Sequence, residues 1–321
     1  MKGEVFYAKI MLFGEYSVIC DSMGLTIPYA HFTGELRFIN QEQYTNYELA
    51  LDSNRHLGQY LVYLKDLKGN KGFRDLLDLE RFENDIENGL YFESNIPQGY
   101  GIGSSGALVA AVYDQYLLKG NKNRKIFTGM EIASLKEVFS RMESYFHGVS
   151  SGLDPLLCYI RHPLLIRNKH QIETVGIPGD KFGADSAIFL VDSGVLGKTG
   201  PLVKLFFDRC KNEDFLTQVR NVFIPANNGC IESLLKGEMK SFFSHLTELS
   251  AFQFIYLPEM IPPRMKPIWE SGLHRDDYKM KLCGSGGGGF LLGISNNFKL
   301  TRKYLLQHGL EPIPVFKNDK D

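Results

Sequence analysis

Residues 97–107 read PQGYGIGSSGA, which puts four glycines and two serines directly ahead of the apolar stretch LVAAVYDQY. Glycine loses more backbone entropy on folding than any other residue and packs no side chain. A chain that concentrates it here must turn sharply or let a ligand approach the backbone. The preceding segment, GLYFESNIP, alternates in polarity and stops at Pro97, which reads as a strand entering the loop. The segment SSGALVAAVYDQYLL then carries Leu108, Ala111, Val112 and Tyr116 at helical spacing. Ser104 or Ser105 stands where a helix cap is expected. A helix N-terminus approached through glycines offers free N–H groups and a positive dipole end to an anion, most often phosphate. A tight strand-to-helix turn with an ordinary serine cap accounts for the same residues without a ligand.

Three other phosphate motifs are excluded by context. GIGSSG (Gly101 to Gly106) matches GxGxxG, but Pro97 separates it from its strand, and no acidic residue ends a second strand about 20 residues on. GSGGGG (Gly284 to Gly289) matches as well, yet the apolar run FLLGIS that follows reads as a strand, not a helix. GVLGKTG ends like a P-loop, but the position of its first glycine holds Asp192.

Elsewhere, VFYAKIMLFG and SAIFLVDSG read as strands, and KMKLCG and FLLGIS as strands on either side of the second glycine run. RHLGQYLVYLKDLKG is helical through Leu57, Leu61 and Leu64. MEIASLKEVFSRMESYF is helical through Ile132, Leu135, Phe139, Met142 and Phe146. Strands and helices alternate irregularly, which predicts a mixed α/β or α+β architecture. The Gly- and Pro-rich VGIPGDKFGAD marks a lobe boundary, dividing the chain into 1–180 and 181–321. The formal net charge of −1 gives no electrostatic reason to expect nucleic acid or an anionic membrane as partner. Nothing resembles a signal peptide or reaches membrane-spanning length. Five widely spaced cysteines without a CxxC predict reduced thiols in a cytoplasmic protein with no zinc site.

Between the glycine runs lies ESYFHGVSSGLDP. Glu143 closes the predicted helix at the edge of its apolar stripe, near Ile132, and a Gly/Ser loop then carries Asp154. Alone, a stripe-edge glutamate is an ordinary salt-bridging residue, and an aspartate before Pro155 an ordinary turn starter. Two acids flanking a Gly/Ser loop, in a chain with two phosphate-type loops, suggest one metal ligand and one base.

Taken in order, AKIMLFGEYSVI, PQGYGIGSSGA and KLCGSGGGGF resemble the three motifs of the GHMP kinase superfamily and span nearly the whole chain. Within it, FGEYSV and the spacing E-x3-HG-x2-SG-x-D, from Glu143 through His147, Gly148, Ser151 and Gly152 to Asp154, are most similar to mevalonate kinases. The resemblance implies two lobes, the first like ribosomal protein S5 domain 2 and the second ferredoxin-like. It further implies that Gly99, Tyr100, Gly101, Ile102, Gly103, Ser104 and Ser105 wrap the phosphates of ATP. Ser105 and Glu143 would hold Mg²⁺, Asp154 would be the catalytic acid/base, and Lys9 its cationic partner. Gly284, Gly286 and Gly287 would support the phosphate loop from the side. Glu15, Tyr16, His147 and Thr199 would line the substrate, a small hydroxylated acid or sugar. Three positions depart from the pattern: Tyr16 replaces the usual His, Pro155 replaces Asn, and Gly106 stands where Ala is common. Lys198, before Thr199, stands where Arg is also found. The implied activity is phosphorylation of mevalonate, with another acceptor or a non-catalytic sensor as alternatives; a homodimer is left open.

Overall fold

The computed structural model describes residues 4–39, 47–67, 73, 75–118, 127–168, 171–197 and 199–317. In chain order the elements are β1 (Phe6–Phe13), β2 (Gly24–Phe38), α1 (Tyr47–Leu67), α2 (Leu79–Glu87), β3 (Leu90–Ser94), α3 (Ser104–Tyr116), α4 (Gly129–His147) and α5 (Leu153–Ile160). There follow β4 (Leu164–Asn168), β5 (Gln171–Thr174), β6 (Ala187–Asp192), α6 (Thr199–Arg209), α7 (Glu213–Gln218), α8 (Ile224–Lys236) and α9 (Met239–Tyr256). The chain ends with α10 (Lys266–His274), β7 (Tyr278–Leu282), β8 (Phe290–Ser295), α11 (Phe298–Gln307) and β9 (Ile313–Lys317). Strands form two sheets, β1-β2-β4-β5 with β3 paired to β2, and β7-β8-β6-β9. This is the expected mixed α+β class. No helix among the described residues is long and apolar enough to cross a membrane.

Two compact units emerge, and neither is continuous in sequence. The first comprises residues up to Lys9, Pro28–Ile96 and Gly103–His162; the second comprises Ile10–Ile27, Pro97–Ile102 and the described chain from Pro163 on. The boundary expected near residue 180 falls between β5 and β6, within the second unit.

In the first unit β2 pairs antiparallel with β3, Gly34 opposite Ser94 and Phe38 opposite Leu90. α3 is its central helix. Its apolar residues cover every face, and Ala107, Val109, Ala110, Ala111, Val112, Tyr113 and Tyr116 are all buried. The expected one-sided stripe is therefore too narrow, and Leu108 on it is only half-buried. In α4 the stripe holds at Ile132, Phe139 and Met142, whereas Leu135 is half-buried and Phe146 is exposed. Two tyrosines of α1 fasten α4: Tyr60 Oη donates to the Met142 carbonyl at 3.3 Å and Tyr63 Oη to that of Arg141 at 2.8 Å.

In the second unit β7 and β8 flank the Gly284–Gly289 run as an antiparallel pair, Leu282 opposite Leu291. Every residue of both strands is buried, the pattern of strands covered on both faces. β6 pairs with β8 on the other side, Val191 opposite Leu291. Trp269 of α10 is fully buried, with its indole N–H on Ser250 Oγ of α9 at 3.0 Å.

Candidate active site

In the first unit three glycines bring four elements into contact at one place. Gly103 precedes α3 with φ 82°, and a Cβ there would lie 2.7 Å from Lys9 Cγ. It therefore lets the Lys9 side chain run beneath the start of the helix. Gly106, in the first turn of α3, faces the backbone of α5, where a Cβ would lie 2.8 Å from the Asp154 carbonyl carbon. Gly152 lies on α4, where a Cβ would meet the Lys136 carbonyl oxygen at 2.2 Å. Side chains at these points would hold β1, α3, α4 and α5 apart.

The result is a linked set of polar groups. Lys9 Nζ lies 2.9 Å from Asp154 Oδ1, with side-chain exposures of 8% and 36%. The lysine is thus enclosed and the aspartate reaches solvent. Ser105 Oγ donates to Glu143 Oε1 at 3.2 Å and lies 3.0 Å from His147 Nε2. Ser150 Oγ donates to the other oxygen, Glu143 Oε2, and accepts from Gly152 N at 3.0 Å. Ser140 Oγ holds the Ser150 carbonyl at 2.6 Å, and Gly148 N–H closes α4 on the Ser144 carbonyl at 2.8 Å. The Gly/Ser loop is therefore folded back over the helix that carries Glu143. Glu143 is only 3% exposed. Burial first, and the charge of Asp154 second, push its carboxyl up to about 7; Ser150, Ser105 and Lys9 oppose the shift.

The expected serine cap is not formed. The cap position is Gly103, in the left-handed region, and no side chain caps α3. A residue with a Cβ at 103 would collide with Lys9, so glycine occupies the position that serine would otherwise favour. Ser105 Oγ is turned instead to Glu143 and His147. The first N–H groups of α3 consequently keep no intrahelical acceptor.

Magnesium fits the donors present. When ionised, a buried carboxylate in the field of a second carboxylate carries negative charge that its surroundings only partly offset, and Glu143 and Ser105 supply hard oxygen donors. Among the described residues no cluster of three or more His, Cys, Asp or Glu side chains could hold a metal by itself. Mg²⁺ commonly binds through one or two carboxylates together with substrate phosphates, so a sparse set suits it.

In the second unit the loop 97–102 lies against the other glycine run. The backbone is left-handed at Gly99 and Gly101. A Cβ on Gly101 would lie 3.4 Å from the Cys283 carbonyl oxygen, and one on Gly289 2.7 Å from Tyr100 Cα. Tyr100 Oη reaches Asp192 Oδ2 at 3.4 Å, and its ring lies 4.8 Å from Phe290. Ile102 is buried. Residues 193–197 join the same stack: Gly289 N–H donates to the Val195 carbonyl at 2.6 Å, and Ser193 N–H to that of Gly289 at 3.0 Å. Gly286 and Gly287 carry positive φ, and Gly287 N–H donates to the Met260 carbonyl at 2.6 Å.

Glu15 and Tyr16 also belong to this unit and are buried. Glu15 Oε1 lies 2.6 Å from Lys281 Nζ, an ion pair with exposures of 2% and 0%. Thr199 opens α6, but its side chain and all of Lys198 lie outside the described residues. Two partners were not singled out from the sequence. Ser150 lies in the Gly/Ser loop, where one serine among several carries no distinguishing pattern. Lys281 carried a signal, one of two lysines, with Lys279, in a short strand just ahead of a glycine run.

Residues 71–161 match the family described as the GHMP kinases N terminal domain, a span that includes Gly99–Ser105, Glu143 and Asp154. Solved structures align over nearly the whole chain. Mevalonate kinase of L. major, in complex with R-mevalonate, gives a TM-score of 0.64 at 15% identity, covering 96% of this chain and 91% of that one. The fold is that of the GHMP kinases. Galactokinase of Lactococcus lactis, complexed with galactose, gives 0.64 at 14% identity, covering 98% and 93%. Phosphomevalonate kinase of Streptococcus pneumoniae, in complex with phosphomevalonate and AMPPNP, gives 0.61 at 13% identity, covering 98% and 100%. No curated protein matches the sequence. GHMP kinase structures with different acceptors therefore align about equally well, and the choice of acceptor rests on the chain's own residues.

Proposed function

We propose that the protein is an ATP-dependent kinase that phosphorylates the hydroxyl of a small acid, with mevalonate as the acceptor. One observation carries the reading: the Lys9–Asp154 pair at 2.9 Å stands beside the Ser105–Glu143 pair at the start of α3. Phosphoryl transfer asks little covalent chemistry of a protein. It asks that the acceptor oxygen lie in line with the γ-phosphate and that developing charge be met by fixed positive groups. The uncapped N–H groups of α3 and the glycine approach suit the phosphates. Mg²⁺ on Ser105 and Glu143 would supply charge neutralisation at the β- and γ-phosphates.

Asp154 orients the acceptor hydroxyl and takes its proton as the oxygen attacks phosphorus. The γ-phosphoryl group passes to that oxygen, and the bond to ADP breaks. Lys9 balances the carboxylate and, with the helix end, the transferring phosphoryl group. Mevalonate is favoured by the FGEYSV and HGVSSGLD segments, whose spacing resembles mevalonate kinases. None of the five cysteines is in a disulfide, which suits a reducing compartment, and we place the protein in the cytoplasm.

The test is a coupled ADP-release assay over mevalonate, phosphomevalonate, homoserine, galactose and heptose phosphates. Mevalonate should exceed the others clearly. A preference for a sugar would reject the acceptor and keep the kinase, and no release with any acceptor would reject the kinase.

A further inference from the structure

Tyr16 holds a conformation that its residue type resists. Its φ is 63° and ψ −41°, and among the described non-glycine residues only Asp21 and Arg161 share a positive φ. A bulky residue is an outlier in that region, and the strain persists only where surrounding contacts over-determine it. Those contacts are specific. The Tyr16 ring lies 4.9 Å from Phe206 of α6. Its hydroxyl donates to the Ser285 carbonyl at 2.5 Å, across 269 residues of sequence. Beside it, Lys281 Nζ bridges Glu15 Oε1 and the Leu282 carbonyl, each at 2.6 Å. Residues 15 and 16 therefore grip both the root of the 284–289 run and its interior. Burial, and next the charge of Glu15, push the Tyr16 phenol up, which keeps the proton on the donor.

The glycine run has few side chains with which to lock its own position, and glycine-rich backbone is costly to order. Yet it is the surface on which the phosphate loop lies. A Cβ on Gly284 would lie 3.4 Å from Gly101 Cα. We propose that Tyr16 is a positioning residue that tethers the 284–289 run against residues 99–101 and so governs nucleotide affinity, not acceptor recognition. The nucleotide part rests on reading the 99–105 loop as the ATP site; the tether itself does not.

Tyr16→Phe removes only the hydroxyl. In the apo protein, hydrogen–deuterium exchange should quicken across residues 283–290 and stay unchanged in α3. Affinity for ATP, measured without acceptor by displacement of a fluorescent ADP analogue, should weaken about three- to tenfold, the equivalent of one hydrogen bond. The KM for mevalonate should hold. Unchanged exchange across 283–290 overturns the tether whatever the protein phosphorylates. Unchanged ATP affinity with a raised mevalonate KM overturns the nucleotide role and makes Tyr16 an acceptor contact. If the wild-type protein does not bind ATP, the kinase reading and the nucleotide role fall together, and the exchange measurement alone decides the tether.

Discussion

Glu143→Gln separates the electrostatic account of the site from a purely structural one, because it keeps size and removes charge. In the wild-type protein the carboxyl is raised from 4.5 to about 7, by burial foremost and by Asp154 next. The folded state thus holds a proton that the unfolded chain has already lost between these values. Stability supplied by that proton is fully present below about 4.5 and is lost as pH rises through about 7. Each pH unit of the interval corresponds to about 1.4 kcal/mol, so the ionised carboxylate costs the apo protein on the order of 3 kcal/mol at pH 8. Glu143 is only 3% exposed, so solvent does little to reduce this. Glutamine carries no such cost. Its carbonyl can still accept from Ser105, and Ser150 can turn its hydroxyl to receive the amide. Apo Glu143→Gln should match the wild type near pH 5 and exceed it at pH 8 by roughly 5 °C in Tm. Its Mg²⁺ requirement in the kinase assay should move to higher concentration. Thermal unfolding at both pH values and a Mg²⁺ titration read the two effects. Parallel pH profiles for the two proteins would refute the desolvation argument, and an unchanged Mg²⁺ titration would refute the metal role.

Gly106→Ala gains helix propensity but drives a methyl to within 2.8 Å of the Asp154 backbone; the overpacking should prevail, costing about 1–3 kcal/mol in denaturant unfolding and lowering turnover. Lys9→Met keeps the stem beneath Gly103 and removes the ammonium; kcat should fall about 10²-fold or more in the ADP-release assay, with Tm nearly unchanged because Asp154 reaches solvent.

Several elements were legible because their patterns were simple. β1, β3, β6, β7, β8 and α4 lie where periodicity and apolar runs placed them. β2 was not found: its fifteen residues contain Gly24, Pro28 and Gly34, which disguise a strand as turns, and its second half is mostly half-buried or exposed, with Gly34 alone buried. The helical region between α6 and α10 was also unread. α9 carries phenylalanines around much of its circumference, and a π-helical turn at Val219–Phe223 shifts the phase ahead of α8. At the site, Glu143 was visible as a stripe-edge acid, and the structure buries it beside Ser105 and Ser150. The serine cap failed because Lys9, nearly a hundred residues away in sequence, occupies the space a Cβ at 103 would need. No local pattern encodes that.

The central claim is that Asp154, held by Lys9 beside the Ser105–Glu143 pair, takes the acceptor proton during phosphoryl transfer. Asp154→Asn tests it most directly, because the amide is nearly isosteric and cannot accept that proton. Turnover with mevalonate, ATP affinity and Tm are measured together on this variant and the wild type. The account predicts a fall in kcat of about 10²–10⁴-fold, ATP affinity changed much less, and Tm nearly unchanged. A folded variant with near-normal turnover would contradict it and leave Asp154 as a turn residue ahead of Pro155. Loss of folding or of ATP binding would contradict it in another way, by making the carboxylate a brace for the loop and for Lys9.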